Sequence, residues 1–476
     1  MISRNSNPGI LRLLFIPMFL LFVASCSKTE SDKVLSSENE LIKIEFPEVN
    51  GESPLIYKNA NEYHITLPMG TSLNAVLTDF KVSPGAKVKV NGQEIKDNKG
   101  KLNLDEVLKV EVVAENGSVR RYSVLVKEGY SNIDNLIYEF QKKYSIPGAS
   151  LAISSSDNHE VLYKSGYGFA EVETSTRVSP NHLFRLASVS KQFTALCIMK
   201  LVDEGKITLD SKVFGPESIL GEDFPEAPSL AHQVTVKHLL SHTSGWTSNP
   251  DPMFTAPYAS NTLTQNIRYM LTTPQNTPGT SFSYYNMGFG VLGSIIEKVT
   301  GKKFEIYLKE VLSLAGINDI HVGGNRAARR PNEVVYYSQN NTNGYNNNME
   351  MIAAAGGIIA STEQMLKLLP YIDGKSDVPD ILSKPVRDAM FTKVISTSST
   401  LNNFYALGWR GGHRLYPESF YHSGNLAGTA TMWVIGPEVN VVLLLNSRSY
   451  ISDFDNQMYH LMEKLVNLGK VLNSRK

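Results

Sequence analysis

Cysteine is nearly absent, with two in 476 residues, so a disulfide-stapled scaffold is excluded. Neither sign of charge is in excess: Lys+Arg is 46 and Asp+Glu is 46. No charge run stands out either, which argues against a nucleic-acid partner held by phosphate neutralisation. The ten histidines show neither the spacing of zinc ligands nor a cysteine cluster, so no metal or other cofactor is expected. The apolar stretch Leu13 to Val23 is short for a membrane-spanning helix. No internal repeat is visible. What remains is the composition of a globular protein, 42% hydrophobic and 19% charged, on a chain long enough for two or more cores.

The N-terminus carries an address. Arg4 and Arg12 precede the apolar stretch, which ends in Val23-Ala24-Ser25-Cys26. Charge, apolar run and small-residue site come in the order of an export signal. The site resembles the lipobox of bacterial lipoproteins, whose cysteine is lipidated. By that resemblance residues 1–26 are a signal peptide with lipidated Cys26, and the membrane is a partner through a lipid anchor. Ser27 after the cysteine implies the outer membrane of a Gram-negative cell, facing periplasm or surface. Cys197 is then left without a partner, in an apolar run where it reads as a small buried hydrophobe.

Residues 27–40 are polar and read as a flexible tether. Over 41–129 the hydrophobic period is two: Ile42, Ile44 and Phe46 alternate with polar residues, and Tyr63 to Leu67 reads as a further strand. Asn91-Gly92 and Asn116-Gly117 each sit between alternating runs. Asn-Gly suits a two-residue hairpin turn because both positions need positive φ. An all-β sandwich follows, and its pattern resembles immunoglobulin-like or cadherin-like modules, which implies a spacer role. Residues 130–476 are mixed α/β. Helices are expected over 132–144, 188–204, 236–240, 289–299, 362–369 and 454–468, with strands over 148–153, 429–435 and 439–446. Strands at both ends with helices between predict an antiparallel sheet built from both termini, flanked by helices and carrying a helical subdomain.

Three short elements in this second region carry chemistry. In Phe184 to Thr194, Ser188 and Lys191 lie nearly one helical turn apart, so their polar ends can meet. A serine hydroxyl is a poor nucleophile without a base, and Lys191 is a base only if its surroundings lower its pKa. In Phe282 to Gly288, Tyr284 is placed to share the proton and Asn286 to hold the lysine or a substrate carbonyl. In Tyr421-His422-Ser423-Gly424-Asn425 an edge strand can pair with an extended acyl substrate, Asn425 supplying an N–H to an oxyanion hole. Each pattern also occurs elsewhere: Ser25 with Lys28, Tyr57 with Asn59, Tyr345 with Asn347.

Taken together and in this order, the three elements resemble the serine β-lactamase and penicillin-binding-protein superfamily. The likeness is to its class C branch of esterases and D-peptidases. It extends through Val234 to Gly245, Gly290 to Glu297 and Ala354 to Ile358, over about 131 to 470. The resemblance implies Ser188 as acylated nucleophile and Lys191 with Tyr284 as base and acid. It implies Asn286, His422, Ser423, Gly424 and Asn425 as substrate-binding residues. His422 stands where true β-lactamases have lysine, which weakens any grip on a penicillin carboxylate. A serine hydrolase of D-amino-acid peptides, cell-wall stem peptides or short esters is therefore expected. The alternative is a non-hydrolytic surface receptor for peptide or peptidoglycan, and β-lactam hydrolysis ranks behind. His242 reads as a structural turn, Trp246 as a wall of the cleft, and Tyr421 and Trp433 as core.

Overall fold

The computed structural model describes residues 34–51, 53–247, 250–374, 378–398, 402–412, 415 and 418–474. The signal-like segment, Cys26 and the tether up to residue 33 lie outside them. The tether's remaining stretch does not hang free: the Ser36 amide donates to Glu115 at 3.1 Å and the Glu40 amide to Ser83 at 2.9 Å.

The strands of the first domain are β1 Leu41–Glu45, β2 Leu55–Asn59, β3 Glu62–Pro68, β4 Val76–Val82, β5 Lys87–Val90, β6 Gln93–Glu94, β7 Lys99–Leu102, β8 Leu108–Val113 and β9 Val119–Gly129. A three-stranded sheet, β1-β4-β7, faces a six-stranded one, β2-β3-β9-β8-β5-β6. Leu108, Val110 and Val112 point inward from β8 and join Ile65, Val88 and Val124 in one core. The expected sandwich is present. Asn91 and Gly92 both have positive φ, 50° and 86°, as the tight β5–β6 turn requires. The second turn differs from expectation, because only Gly117 of its pair has positive φ (85°). The Gly117 amide closes back on the Ala114 carbonyl at 3.0 Å, so Asn116 lies inside an ordinary turn and the glycine alone takes the left-handed position.

The second domain begins without a linker. Helix α1 (Ser131–Tyr144) starts two residues after β9 ends. Strands β10 (Gly148–Ser155), β11 (Val161–Glu171) and β12 (Thr176–Arg177) follow, then the short β13 (Phe184–Arg185). The helical region holds α2 (Ser190–Asp203), α3 (Val236–Leu240), α4 (Leu263–Thr272), α5 (Asn286–Thr300) and α6 (Phe304–Ser313). After it come β14 (His321–Val322), β15 (Tyr337–Ser338), β16 (Ile358–Ala360), α7 (Thr362–Leu368) and α8 (Lys384–Phe391). The chain closes with β17 (Ile395–Ser396), β18 (Phe404–Tyr405), β19 (Arg410–Gly411), β20 (Phe420–Leu426), β21 (Thr429–Ile435), β22 (Val439–Leu445), β23 (Ser447–Arg448) and α9 (Phe454–Ser474).

The main sheet runs β12-β11-β10-β22-β21-β20-β19-β18-β17, so strands from both ends of the domain meet at β10 and β22. Those two strands are buried along their whole length, which is why small and apolar residues predominate in both instead of alternating with charged ones. Leu151, Leu443 and Leu445 face α1 and α9, whereas Ala152, Val442 and Leu444 face the core around α2 and α5. Trp246 sits in that second core, 1% exposed, with its ring 6.1 Å from Phe214. It packs the helical region and does not wall the cleft. Tyr421 and Trp433 are core residues, as the sequence suggests.

The seam between the domains is a buried polar cluster. Lys127 on β9 reaches Asp134 on α1 at 2.6 Å and Ser165 at 2.8 Å. The Tyr163 and Tyr167 hydroxyls donate to the same Asp134 oxygen at 2.5 and 2.6 Å. The sandwich is thereby docked on the second domain by a specific latch.

Candidate active site

Ser188 lies in a single tight turn, Ala187–Val189, just before α2 begins at Ser190. The helix thus starts two residues later than the sequence suggests. Ala187 is held at φ 49°, a conformation that costs a non-glycine residue energy and is met where a neighbouring group must be placed. Two contacts hold the turn. Thr431 on β21 donates to the Leu186 carbonyl at 2.7 Å, and a side chain at Gly424 would come within 2.3 Å of that same oxygen. Only glycine lets β20 lie this close.

Lys191 is fully buried. Its Nζ stands 3.3 Å from Ser188 Oγ, 2.7 Å from Asn286 Oδ1 and 2.6 Å from the Ala355 carbonyl. Burial lowers its pKa to about 7, Asp251 opposes that fall, and the Arg410 charge adds to it. The free amine is therefore well populated near neutral pH. An amine has two N–H donors and one lone pair. The two carbonyl oxygens accept both donors, which turns the lone pair toward the Ser188 hydroxyl. The Ala355 carbonyl comes from the wide turn Ala353–Gly357, whose neighbour Ala354 accepts from Thr194 at 2.7 Å.

Tyr284 is half-buried at the cleft with its hydroxyl shielded from solvent, and its ring centroid lies 4.9 Å from Lys191 Nζ. Burial raises the phenol to about 12, and the Ser188 hydroxyl offsets part of that rise. The hydroxyl makes no hydrogen bond of standard geometry to the described residues. It is protonated at neutral pH and available as an acid.

His242 explains how Tyr284 is held. The Tyr285 amide donates to His242 Nδ1 at 3.1 Å, and His242 Nε2 lies 3.2 Å from the Tyr405 hydroxyl. That hydroxyl lies 3.0 Å from His422 Nε2, and His422 Nδ1 lies 2.7 Å from the Ser423 carbonyl. One tautomer assignment satisfies every step: Nε2–H on His242, the Tyr405 proton toward His422, and Nδ1–H on His422. Both histidines must be neutral. Burial holds the pKa of each well below the ordinary value, with Lys191, Arg410 and His422 adding to this at His242, and Arg410 and Lys191 at His422. His242 is thus a strut between the Tyr284 turn and β20, as a structural reading of the sequence requires. His422 has both ring nitrogens engaged inside the protein, so it offers no cation to a substrate.

On β20, β19 pairs only with Phe420 and Tyr421, and beyond them His422, Ser423 and Asn425 line the cleft. The Asn425 side chain turns to Asp455 at 3.4 Å. The cleft has a volume of about 430 Å³ and brings Ser188, Tyr284, Asn286, His422, Ser423 and Asn425 together. Gly424 lies behind it. Tyr57 and Asn59 are remote, in the sandwich. Asn347 does line the cleft, placed by the loop whose Gly344 carbonyl accepts from buried Arg185.

Sequence reasoning missed two charged residues here. Arg410 on β19 lines the cleft 5.3 Å above the Tyr284 ring and 5.6 Å from Tyr405. Among the described residues no carboxylate pairs with it. Asp251 is 9% exposed and accepts from Asn286 Nδ2 at 2.8 Å. Neither stands in a motif, so spacing held no signal. Among the described residues no group of three or more His, Cys, Asp or Glu could hold a metal ion, and no helix is long and apolar enough to cross a membrane.

The chain matches the family model described as Beta-lactamase over residues 133–464. It is 26% identical over 354 residues to Protein flp of Staphylococcus aureus (strain MRSA252), covering 72% of this chain and 68% of that protein. The match to Protein flp of strain COL covers 36% of that protein. Penicillin-binding protein 4* of Bacillus subtilis (strain 168) is 32% identical over 204 residues, 41% of this chain and 42% of its own length. Among solved structures, the octameric penicillin-binding protein homologue from Pyrococcus abyssi superposes with a TM-score of 0.59 at 27% identity, over 71% of this chain and 77% of that one. A class C beta-lactamase shares the fold, with a TM-score of 0.57 at 21% identity over 71% and 95% of the two chains. The chain belongs to the beta-lactamase family, in which a beta-lactamase-like domain here follows a separate all-β domain.

Proposed function

We propose that this family member is a serine hydrolase that cleaves an amide or ester through an acyl-enzyme. The observation that carries the reading is the buried Lys191, its amine directed at Ser188 by two carbonyl oxygens. Ser188 Oγ forms a bond to the substrate carbonyl carbon as its proton passes to Lys191 Nζ. The oxyanion is held by the amides of Ser188 and Asn425. Tyr284 gives its proton to the departing nitrogen or oxygen as that bond breaks, and recovers one from Lys191. In the second half a water attacks the acyl carbon, its proton drawn off through Tyr284 to the free amine, and Ser188 leaves reprotonated.

The substrate we assign carries a free carboxylate near the scissile bond, as a D-amino-acid or cell-wall stem peptide does. Arg410 supports this: it is a guanidinium at the cleft beside the proton donor, with no carboxylate partner among the described residues. It supplies the permanent charge that neutral His422 lacks. Anchoring by a lipid on Cys26, in an outer membrane, belongs to the same proposal and is read by mass and fractionation of the exported protein.

The test is treatment with a fluorophosphonate followed by intact mass and peptide mapping. One adduct on Ser188, absent in Ser188→Ala and strongly reduced in Lys191→Ala, is expected. A folded wild-type protein without an adduct refutes the hydrolase reading and favours a receptor. Paired peptides with free and amidated C-termini then test the carboxylate. A preference for the free acid that Arg410→Gln abolishes is expected.

A further inference from the structure

Asn286 faces Lys191 with its oxygen, and something must decide that. The oxygen and nitrogen of an asparagine amide are nearly equal in size, so packing does not discriminate between the two orientations. Lys191 alone does not decide it either. An ammonium would demand the oxygen, but the free amine could equally accept from the amide nitrogen. That flipped arrangement would draw the lysine lone pair onto Asn286 and away from Ser188.

Resting on the hydrolase reading above, we infer that Asp251 is a positioning residue of this active site: its carboxylate takes the Asn286 nitrogen and so commits the amide oxygen to Lys191 and the lysine lone pair to Ser188. The geometry is direct. Asp251 Oδ2 accepts from Asn286 Nδ2 at 2.8 Å, and Oδ1 accepts from the Met253 amide at 3.1 Å. A carboxylate has no donor to offer, so the amide cannot turn its oxygen toward Asp251 without setting two acceptors face to face.

Asp251 also acts by charge. The groups bearing on Lys191 are Ser188 before α2, Tyr284 and Asn286 at the start of α5, the Ala355 carbonyl, Arg410 on β19, and the neutral His242 and His422. Beside these stands Asp251, the carboxylate that raises the lysine pKa against burial and Arg410. Its own pKa is raised by burial, and the bonds from Asn286 and the Met253 amide oppose that rise. Removing the carboxylate charge therefore lowers the lysine pKa further, and removing its acceptors frees the amide to flip.

The experiment compares full-length wild type with Asp251→Asn and Asp251→Ala by two readouts. The first is the titration of Lys191, followed by ¹³Cε chemical shift in lysine-labelled protein and assigned with Lys191→Arg. The second is the pH profile of Ser188 acylation by an activated ester. In Asp251→Asn the Lys191 midpoint is expected below its wild-type value of about 7, and the acidic limb of acylation moves down with it. In both variants acylation at the plateau falls by roughly tenfold or more. An unchanged titration together with an unchanged plateau overturns the proposal. If Asp251→Ala does not fold, the near-isosteric Asn variant decides. If wild type is not acylated at all, the hydrolase reading fails by itself, while the lysine titration still reports whether Asp251 holds the network.

Discussion

Two buried lysines divide the molecule. Lys127, at the seam between the domains, meets a carboxylate at 2.6 Å and lies 3.7 Å from the centre of the Tyr167 ring. Lys191, in the cleft, meets two carbonyl oxygens and a serine hydroxyl. Burial lowers both, to about 8 at the seam and about 7 in the cleft. At the seam Asp134 opposes burial by direct contact. In the cleft the opposing Asp251 acts with an asparagine between, and Arg410 works the other way. Desolvation alone does not make a catalytic base. A lysine whose partner is an adjacent carboxylate is a latch, and one surrounded by neutral acceptors keeps a usable lone pair.

The largest effect that tests this contrast is Lys191→Met. Acylation of Ser188 should fall by roughly 10²–10⁴-fold, the span a lost acid–base group typically costs, while the fold is kept. Its stability should also lose a pH dependence that the buried lysine supplies. The folded pKa near 7 lies below the ordinary lysine value of 10.5. The unfolded state therefore binds more protons between those values, and wild-type stability rises with pH across that window. Removing the lysine should flatten that slope, as urea titrations at several pH values would show. A steeper slope in the variant would contradict the assignment.

Next in size is Lys127→Met at the seam. It leaves Asp134 buried without its cation and should cost about 3–5 kcal/mol in urea unfolding, with acylation per folded molecule unchanged. A loss of acylation in the folded fraction would mean that the latch reaches the cleft.

Tyr405→Phe comes third. It breaks the chain between His242 and His422 and leaves two buried ring nitrogens unpaired, at about 1–3 kcal/mol each. Because the chain joins the Tyr284 turn to β20, the turnover rate should fall while the lysine limb of the pH profile stays in place. The smallest is Thr66→Val, which removes the 3.0 Å bond to the second Asp134 oxygen and should cost about 1 kcal/mol. A cost equal to that of Lys127→Met would show that hydroxyls, not the cation, hold the latch.

Much of the fold was legible because burial leaves a periodic trace. The alternating run of β8 and the mostly small and apolar runs of β10 and β22 differ in how many faces are covered. Asn91-Gly92 was legible for a local reason, since both residues take positive φ. Asn116-Gly117 was misread because the same dipeptide also fits a longer turn in which only glycine is left-handed. Trp246 was misread because a large ring after a glycine turn serves a wall or a core equally well. In the site, Ser188, Lys191, Tyr284 and Asn286 stood in motifs with local spacing. Asp251 and Arg410 did not, because each acts across space on a residue far away in the chain.

By itself the sequence determined the order of the domains, many of the strands and helices that build them, the family likeness and the serine, lysine, tyrosine and asparagine able to do the chemistry. These follow from periodicity, turn chemistry and local spacing, which are properties of neighbours along the chain. Only the tertiary structure decided which lysine is a base and which a latch, and which nitrogen or oxygen each buried group offers. Those depend on the loss of water and on partners brought from distant segments, and neither is written in local spacing.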